Sequence, residues 1–210
     1  MASTTNNAAL PGNKLWLGWL AANLIAFVLS HVLLGLVDLL VDLVGAHGLT
    51  FVGIAGHLGA LGLGGAIVGL AQARFIQSYL TRSAQWGLST WVAYVLAFFS
   101  GETFGGLPLG LLLSFTLFGA VSGPVQSRLL SQQGFPSARW ALGSCLGFAA
   151  GGVAASGLLL AAFAIAGRAI LDAVPVPVAL GVMGGVGAGV GAAITGLILA
   201  VVLRHRSSTM

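Results

Sequence analysis

Long uncharged stretches make up most of the chain, and charged residues interrupt them only at wide intervals. The 210 residues include eight Lys or Arg and four Asp or Glu. Six uncharged runs of at least 19 residues result, at 15–37, 43–73, 83–101, 103–127, 140–167 and 173–203. An apolar helix of about 20 residues is long enough to cross a hydrocarbon core of about 30 Å. The pattern therefore predicts an all-α membrane bundle of six transmembrane helices, arranged as three hairpins.

The predicted spans divide the chain into one membrane domain with short polar ends. They cover approximately 15–37, 50–73, 84–102, 107–127, 140–166 and 176–203, within a single domain over residues 14–204. Residues 1–13 are predicted to form a polar cytoplasmic segment and residues 205–210 a cytoplasmic tail. The run from Leu15 is longer than the h-region of a signal peptide and follows no basic cluster, so we expect the first span to be retained.

The charges separate by sign when the six runs are threaded alternately across a membrane. One side receives seven bases, namely Lys14, Arg74, Arg82, Arg128, Arg139, Arg204 and Arg206. The opposite side receives all four acids and one base, namely Asp38, Asp42, Glu102, Asp172 and Arg168. Because cytoplasmic loops carry an excess of Lys and Arg, we expect the basic side and both termini to be cytoplasmic.

The composition excludes a soluble domain. Hydrophobic residues make up 58% of the chain and charged residues 6%, whereas soluble domains contain about 25% charged residues. The net charge of +4 is therefore not the footprint of a nucleic-acid-binding protein. We expect the basic side to face anionic lipid headgroups instead, and we expect no nucleic-acid partner.

Tryptophans mark the start of the odd-numbered spans. Each follows a basic residue, and the four are Trp16, Trp19, Trp86 and Trp140. Tryptophan is enriched where a membrane meets water, because its ring is apolar and its N–H is polar. We therefore expect these rings at the cytoplasmic interface, with indole N–H groups that reach water.

Part of the sequence recurs at an ungapped offset of 54 residues, with nine identities. The pairs are Gly65–Gly119, Ala66–Ala120, Gly69–Gly123, Gln72–Gln126, Arg74–Arg128, Ser83–Ser137, Ala84–Ala138, Trp86–Trp140 and Leu88–Leu142. Because the offset contains two predicted crossings, the copies have the same orientation and are parallel repeats about an axis along the membrane normal. A weaker match to the motif suggests a third copy, which would combine the end of the last span with the start of the first span if the two lie side by side. Its residues are Gly187, Ala188, Gly191 and Arg204 of the last span, and Lys14 and Trp16 at the start of the first.

The repeated motif is Gly-Ala-x-x-Gly-x-x-Gln, followed by an Arg, a short loop, Ala-x-Trp and a glycine-rich helix. It resembles a motif of uncharacterised multi-span membrane proteins that are frequent in cyanobacteria and filamentous bacteria. Those proteins commonly carry Gln-Trp-Leu-Val-Leu-Arg, whereas this chain has Ala73-Arg74-Phe75 and Ser127-Arg128-Leu129 after the glutamines. The resemblance covers residues 65–88 and 119–142. It implies a multi-span fold and no known activity, and with it we expect a bacterial inner membrane.

Two predicted helices each carry two glycines and one glutamine on the same face. Within each set the three residues fall inside an arc of about 60° on a helical wheel, at 100° per residue. The sets are Gly65, Gly69 and Gln72, and Gly119, Gly123 and Gln126. Small residues four apart allow close packing of helices, and an adjacent glutamine can hydrogen-bond across the contact. The alternative is a polar collar, formed by Gln72 and Gln126 at the cytoplasmic mouth of a pathway.

Glycines also crowd the predicted sixth span. They are Gly181, Gly184, Gly185, Gly187, Gly189, Gly191 and Gly196. One interpretation is a helix packed closely by several neighbours. The other is a broken helix whose free carbonyl groups line a site, although no ionisable residue accompanies these glycines.

The first span carries the most polar face of the predicted helices. Its polar residues lie within an arc of about 120°, and they are Asn23, Ser30, His31, Asp38 and Asp42. An antiparallel hairpin is expected to bring the imidazole of His57 near that of His31. Three interpretations stay open: hydrogen bonds to neighbouring helices, axial ligation of a haem or chlorophyll-type tetrapyrrole, or a proton or cation path from the outer acidic face of Asp38 and Asp42 through His31. Four well-placed zinc ligands are lacking, so we predict no metal site.

No constellation in the sequence favours an enzyme. We find no carboxylate pair in the membrane part, no Ser-Lys or Ser-His arrangement and no His-Glu-x-x-His helix. We therefore expect a non-enzymatic structural or accessory subunit of a bacterial membrane complex, with the bilayer and other membrane subunits as partners. In its sharper form this subunit binds a tetrapyrrole through His31 and His57. The alternative is a small-solute or ion transporter or channel with a pathway near the repeat axis. A third hypothesis, an enzyme of lipid metabolism, lacks a substrate-facing acid or base.

Overall fold

The computed structural model describes residues 12–45, 51–167 and 173–204. Within these ranges the chain forms six α-helices and no β-strand. The helices are α1 (Gly12–Leu43), α2 (Phe51–Ile76), α3 (Ser83–Gly105), α4 (Leu109–Ser131), α5 (Ala138–Ala166) and α6 (Val176–Arg204). The predictions for Arg168, Asp172, Arg206, most of the segment 1–13 and the tail 205–210 lie outside the described residues.

Five of these helices, α1, α2, α4, α5 and α6, are long and apolar enough to cross a membrane. The prediction of six spans also counted α3, which has 23 residues but is not among the five. The prediction rested on the lack of charge in this stretch, whereas uncharged polar side chains such as Gln85, Ser89 and Thr90 lower its hydropathy.

The first helix is longer than the predicted first span. It ends at Leu43, whereas the predicted span ended at residue 37. A charged residue ends an uncharged run, but it does not end a helix whose backbone hydrogen bonds continue. Asp38 and Asp42 therefore lie in the last two turns of α1.

The helices form a closed antiparallel ring. Each packs against its neighbours in sequence, and α6 packs against α1 to complete the ring. The antiparallel register of α1 and α6 follows from three contacts along them: Trp19 with Thr195, His31 with Gly184, and Gly35 with Pro177. Inside the ring the core is apolar and aromatic, whereas many large apolar side chains on the outside are exposed. Such an extensive apolar surface is typical of contact with lipid or with another membrane protein.

The antiparallel arrangement places the described charges at opposite ends of the ring. The end that we call the basic end carries Lys14, Arg74, Arg82, Arg128 and Arg139. The acidic end carries Asp38, Asp42 and Glu102. At the basic end two loops touch, because Oε1 of Gln133 accepts hydrogen bonds from the backbone N–H and the hydroxyl of Thr81 at 3.0 and 3.2 Å.

Candidate functional site

Three tryptophans meet inside the ring near its basic end. Trp19 of α1, Trp86 of α3 and Trp140 of α5 have ring centroids 6.2, 5.7 and 5.2 Å apart. Edge-to-face and tilted contacts of this kind suit the quadrupoles of aromatic rings. Because the three rings come from alternate helices of the ring, they surround its axis. We call them the tryptophan triad.

The expectation that the tryptophan N–H groups reach water is wrong. The triad is at most 1% exposed, and its N–H groups donate to buried side chains at 3.0 to 3.1 Å. The donor–acceptor pairs are Trp19–Thr195, Trp86–Gln72 and Trp140–Gln126. Each indole lies on the inward face of its helix, where an adjacent even-numbered helix supplies an acceptor. Trp16 is half-buried, and its N–H donates to the backbone carbonyl of Ala193 at 2.9 Å.

A layer of amides and hydroxyls surrounds the tryptophan N–H groups. Oε1 of Gln72 accepts from Trp86 at 3.1 Å and from the hydroxyl of Thr90 at 2.9 Å. Its Nε2 donates to Oδ1 of Asn23 at 2.6 Å. Nε2 of Gln126 donates to Oγ1 of Thr90 at 2.9 Å. These four polar side chains are at most 2% exposed, and we call them the polar layer.

The two glutamines hold their tryptophans in the same way. Each tryptophan lies 14 residues after its glutamine, and both hydrogen bonds measure 3.1 Å. The interface of α6 with α1 differs, because Thr195 accepts from Trp19 there and its hydroxyl hydrogen goes to the carbonyl of Gly191 at 2.9 Å. The buried hydroxyl of Ser144 in α5 has no hydrogen-bond partner among the described residues.

The triad and the polar layer fill the axis of the ring. Nε2 of Gln126 lies only 3.4 Å from Oε1 of Gln72, so the two collar glutamines touch. Toward the acidic end, Phe118 packs against Phe27 and Phe148 with centroid distances of 5.3 and 4.7 Å. At these levels the collar is a closed, hydrogen-bonded cluster and not an open mouth.

The glycines beside the glutamines lie at close contacts between helices. A methyl group added at Gly69 would lie 2.5 Å from the carbonyl oxygen of Gly87 in α3. One added at Gly123 would lie 2.8 Å from Cβ of Ser144 in α5. The other glycines of the two sets, Gly65 and Gly119, face α3 and α5 as well. Glycine therefore allows α2 to approach α3, and α4 to approach α5, at backbone distance.

The glycine-rich sixth helix is continuous from Val176 to Arg204, so the broken helix considered for this segment is not observed. Its glycines make room for large side chains of the neighbouring helices. A methyl group at Gly184 would meet His31, and one at Gly191 would meet Phe148. The glycines thus serve the packing of α6 against α1 and α5.

His31 is buried among aromatic rings, with 1% of its surface exposed. Its Nδ1 lies 2.9 Å from the carbonyl oxygen of Phe27, one turn earlier in α1. A carbonyl only accepts, so Nδ1 carries the hydrogen and Nε2 presents a lone pair. The ring stacks on Phe115 at 6.0 Å and meets Phe98 edge to face at 5.0 Å. Nε2 has no hydrogen-bond partner among the described residues.

His57 lies at the acidic end, where it joins three helices. Its Nδ1 is 3.4 Å from a carboxyl oxygen of Asp38 in α1, and its Nε2 contacts the carboxyl group of Glu102 in α3. Asp42 lines the same groove of about 320 Å³ as Asp38 and His57. The expectation that His31 and His57 come together is wrong, because His31 faces α3, α4 and α6 whereas His57 faces the ends of α1 and α3.

The surroundings of the two histidines do not fit a tetrapyrrole. The cavity beside His31 measures about 170 Å³, whereas pockets for drug-sized ligands measure about 300–1,000 Å³. Phe98 and Phe115 pack against the imidazole and leave no room for a macrocycle. Both ring nitrogens of His57 contact carboxyl groups, so neither is available for axial ligation. Within the described residues, no group of three or more His, Cys, Asp and Glu side chains could hold a metal ion.

Sequence reasoning missed several members of the site. Thr90 and Ser144 were not singled out, Glu102 was named only for its charge, and Thr195 was not recognised as the acceptor for Trp19. A signal for the first two was present, since each stands four residues after a triad tryptophan, as Asn23 does. Residues four apart lie on one helix face, so this spacing places a small polar group beside each indole.

No family model, curated protein or solved structure matches the chain. A proposal about function therefore rests on the geometry of the triad, the polar layer and the acidic end.

Proposed function

We propose that this chain is a non-enzymatic integral membrane protein that serves as a structural or accessory subunit of a bacterial membrane complex. The proposal rests on one observation, namely that side chains fill the axis of the ring. Buried, hydrogen-bonded side chains occupy the place where a pathway near the repeat axis would run. Hydrogen-bonded buried groups hold the helices rigidly against one another. We therefore infer that the bundle functions by binding other membrane proteins at its outer surface, and not by conducting molecules along its axis.

In this proposal all six helices cross the bacterial inner membrane. α3 has 23 residues, which at 1.5 Å per residue span about 34 Å and exceed a hydrocarbon core of about 30 Å. Of the polar groups that lower its hydropathy, Thr90 is buried and hydrogen-bonded inside the ring, and the hydroxyl of Ser89 donates to the carbonyl of Trp86 at 2.8 Å. Gln85 is exposed, but it lies in the first turn of α3 at the basic end, where a side chain can reach the lipid headgroups. The excess of Lys and Arg at the basic end favours a cytoplasmic position for that end and for both termini.

We attribute the ring to parallel repeats about its axis. The identical hydrogen bonds of Gln72 with Trp86 and of Gln126 with Trp140 support two copies. A third copy would consist of α6 and α1, with Thr195 in the place of the glutamine. The packing of α6 on α1 and the third indole of the triad favour this circular closure.

Quantitative purification from native membranes tests the accessory role. The tagged chain is extracted in several mild detergents, and mass spectrometry measures the molar ratio of each accompanying protein. We expect one or more membrane proteins at a constant ratio in every detergent. An unrelated membrane protein of similar size with the same tag serves as the control. A chain that migrates alone in all detergents would contradict the proposal.

An absorption spectrum of the same preparation tests the pigment hypothesis. Since the residues around His31 and His57 do not fit a tetrapyrrole, we expect no visible absorption band that follows the protein. A band that persists through purification and disappears in a His31→Leu variant would overturn this conclusion. The accessory role does not depend on the outcome.

A further inference from the structure

A groove lies on the outside of the ring, between α5 and α6 and near the acidic end. It measures about 240 Å³. Leu159 and Met183 are nearly buried and form its floor, whereas the rim residues Leu158 and Val182 are exposed. The groove is therefore open to the surroundings of the ring and closed toward the core.

The packing of α5 against α6 explains why the groove is present at this level. Nearer the middle of the helices, a methyl group added at Gly151 would collide with the backbone of Gly187, so the two backbones touch there. Toward the acidic end, the larger side chains of Leu159 and Met183 lie between the helices. They keep α5 and α6 apart, and the space outside them is not filled by any described side chain.

None of the described side chains that line the groove is polar. Besides the floor and the rim, the lining consists of Ala162, Val174 and Ala179. Such a wall offers no hydrogen bond and no charge, so it suits a hydrocarbon surface. Lining atoms next to an empty space lose van der Waals contacts. An apolar occupant from the membrane restores those contacts.

The size and the direction of the groove favour a lipid tail over a partner helix. A cavity of about 150 Å³ holds benzene, so by comparison this volume suits a chain of about ten carbon atoms. From Val176, the first residue of α6, to Met183 the helix rises about 10 Å, which lies within one half of a hydrocarbon core of about 30 Å. The groove runs along two neighbouring helices, as lipid tails do. A helix about 10 Å across is too wide to enter it, and one side chain of such a helix fills only part of it.

We propose that this groove binds one acyl chain of a phospholipid from the leaflet on the side of the acidic end. The chain enters beside Val174, near the headgroups, and runs between Leu158 and Val182 toward the middle of the membrane. Its carbon atoms pack against Leu159 and Met183. The site requires a membrane location, but it does not depend on the accessory role proposed above.

Retention of phospholipid by the purified chain tests this site. The full-length chain is reconstituted in nanodiscs of palmitoyl-oleoyl phosphatidylethanolamine, transferred to detergent and washed extensively. Native mass spectrometry then counts the phospholipid molecules that remain. We expect the wild-type chain to retain one phospholipid. Equal retention by an Ala162→Phe variant, or no retention by the wild-type chain, would overturn the proposal.

The Ala162→Phe variant places an aromatic ring in the groove. It should retain phospholipid at least tenfold less often than the wild-type chain. Ala161→Phe is the matched control, since Ala161 is exposed on the same helix and does not line the groove. This control should retain phospholipid as the wild-type chain does. A second copy of the chain in place of the phospholipid, lost in Ala162→Phe, would also overturn the proposal.

Photolabelling locates the acyl chain without any variant. A phosphatidylethanolamine with a diazirine in the middle of one acyl chain is added to the same nanodiscs, and peptide mass spectrometry maps its insertion. We expect Leu158 and Val182 to be labelled at least threefold more than Leu160 and Val178, which are exposed on the same helices but do not line the groove. Equal labelling would show contact with bulk lipid alone and would overturn the proposal. The accessory role can fail in native purification while phospholipid retention persists, so the two failures are distinguishable.

Discussion

The side-chain amide of Gln72 donates a hydrogen bond of 2.6 Å to Oδ1 of Asn23, and its carbonyl accepts from Trp86 and Thr90. One side chain thereby connects α1, α2 and α3 beside the axis. All the groups involved are buried. The polar layer is therefore sensitive to the loss of any member that pairs with several others.

Replacing Gln72 by Leu should strongly destabilise the fold. The change leaves Nε1 of Trp86 and Oδ1 of Asn23 without a partner, and each unpaired buried group costs about 1–3 kcal/mol. We expect a loss of about 3 kcal/mol in the free energy of unfolding, measured by titration with a denaturing detergent in mixed micelles. Leu70→Ala on the same helix is the control, because Leu70 is 70% exposed on the outer surface; it should change stability by less than about 0.5 kcal/mol. Equal losses in the two variants would show that the layer contributes nothing specific.

The hydroxyls of Thr90 and Ser144 stand at equivalent positions and should respond differently to removal. Thr90 takes part in hydrogen bonds with both glutamines, whereas Oγ of Ser144 has no partner among the described residues. Thr90→Val should lower the free energy of unfolding by about 1–3 kcal/mol, since Nε2 of Gln126 loses its closer acceptor and keeps only Oε1 of Gln72 at 3.4 Å. Ser144→Ala should be neutral or stabilising, because it removes a buried group that is unpaired. The same unfolding titration measures both, and a larger loss for Ser144→Ala would contradict the assigned hydrogen bonds.

Glycine-to-alanine substitutions on α2 should destabilise the protein at the contact with α3 but not on the outer surface. Gly69→Ala places a methyl group 2.5 Å from the carbonyl oxygen of Gly87, so α3 must move outward. Overpacking of this kind costs about 1–3 kcal/mol. Gly59→Ala is the matched control, because an added methyl group there meets no atom within 4 Å, and it should be neutral or slightly stabilising. A Gly69→Ala variant as stable as Gly59→Ala would mean that α2 and α3 do not pack as described.

The sequence predicted where the helices lie far better than which side chains face inward. Long apolar runs fix the position of a membrane helix because the whole backbone must be satisfied internally. They do not distinguish the core from lipid, since lipid tails are as apolar as leucine. Leu61 and Leu63 illustrate this limit: one is completely buried and the other is 60% exposed.

For the same reason, the sequence predicted only some residues of the candidate site. Gln72 and Gln126 stood out because amides are scarce in this chain and each shares a face with glycines. Their partners depend on the closure of the ring, which brings Asn23 of α1 against α2 and Thr195 of α6 against α1. The periodicity of a single helix does not show which other helix packs against each of its faces. The prediction that the tryptophan N–H groups reach water was wrong, because a buried side chain accepts the hydrogen bond of each indole in the triad.

Labelling of single cysteines tests the proposed orientation. In a Cys145→Ala background, a cysteine is introduced at Leu107 in the α3–α4 connection or at Gln132 after α4, both of which are exposed. A membrane-impermeant maleimide applied to intact spheroplasts should label Leu107→Cys only. Gln132→Cys should react after the membrane is permeabilised. The reverse pattern would place the basic end outside and contradict the orientation.

Solute efflux from proteoliposomes tests the sealed axis most directly. Vesicles loaded with small ions and neutral solutes are prepared with the wild-type chain, with Gln72→Leu, with Gln126→Leu and without protein. Because the tryptophan triad and the polar layer fill the axis, we predict that wild-type vesicles release their contents at the rate of protein-free vesicles. Wild-type efflux well above that rate, abolished by Gln72→Leu or Gln126→Leu, would contradict the account and favour a pathway along the axis.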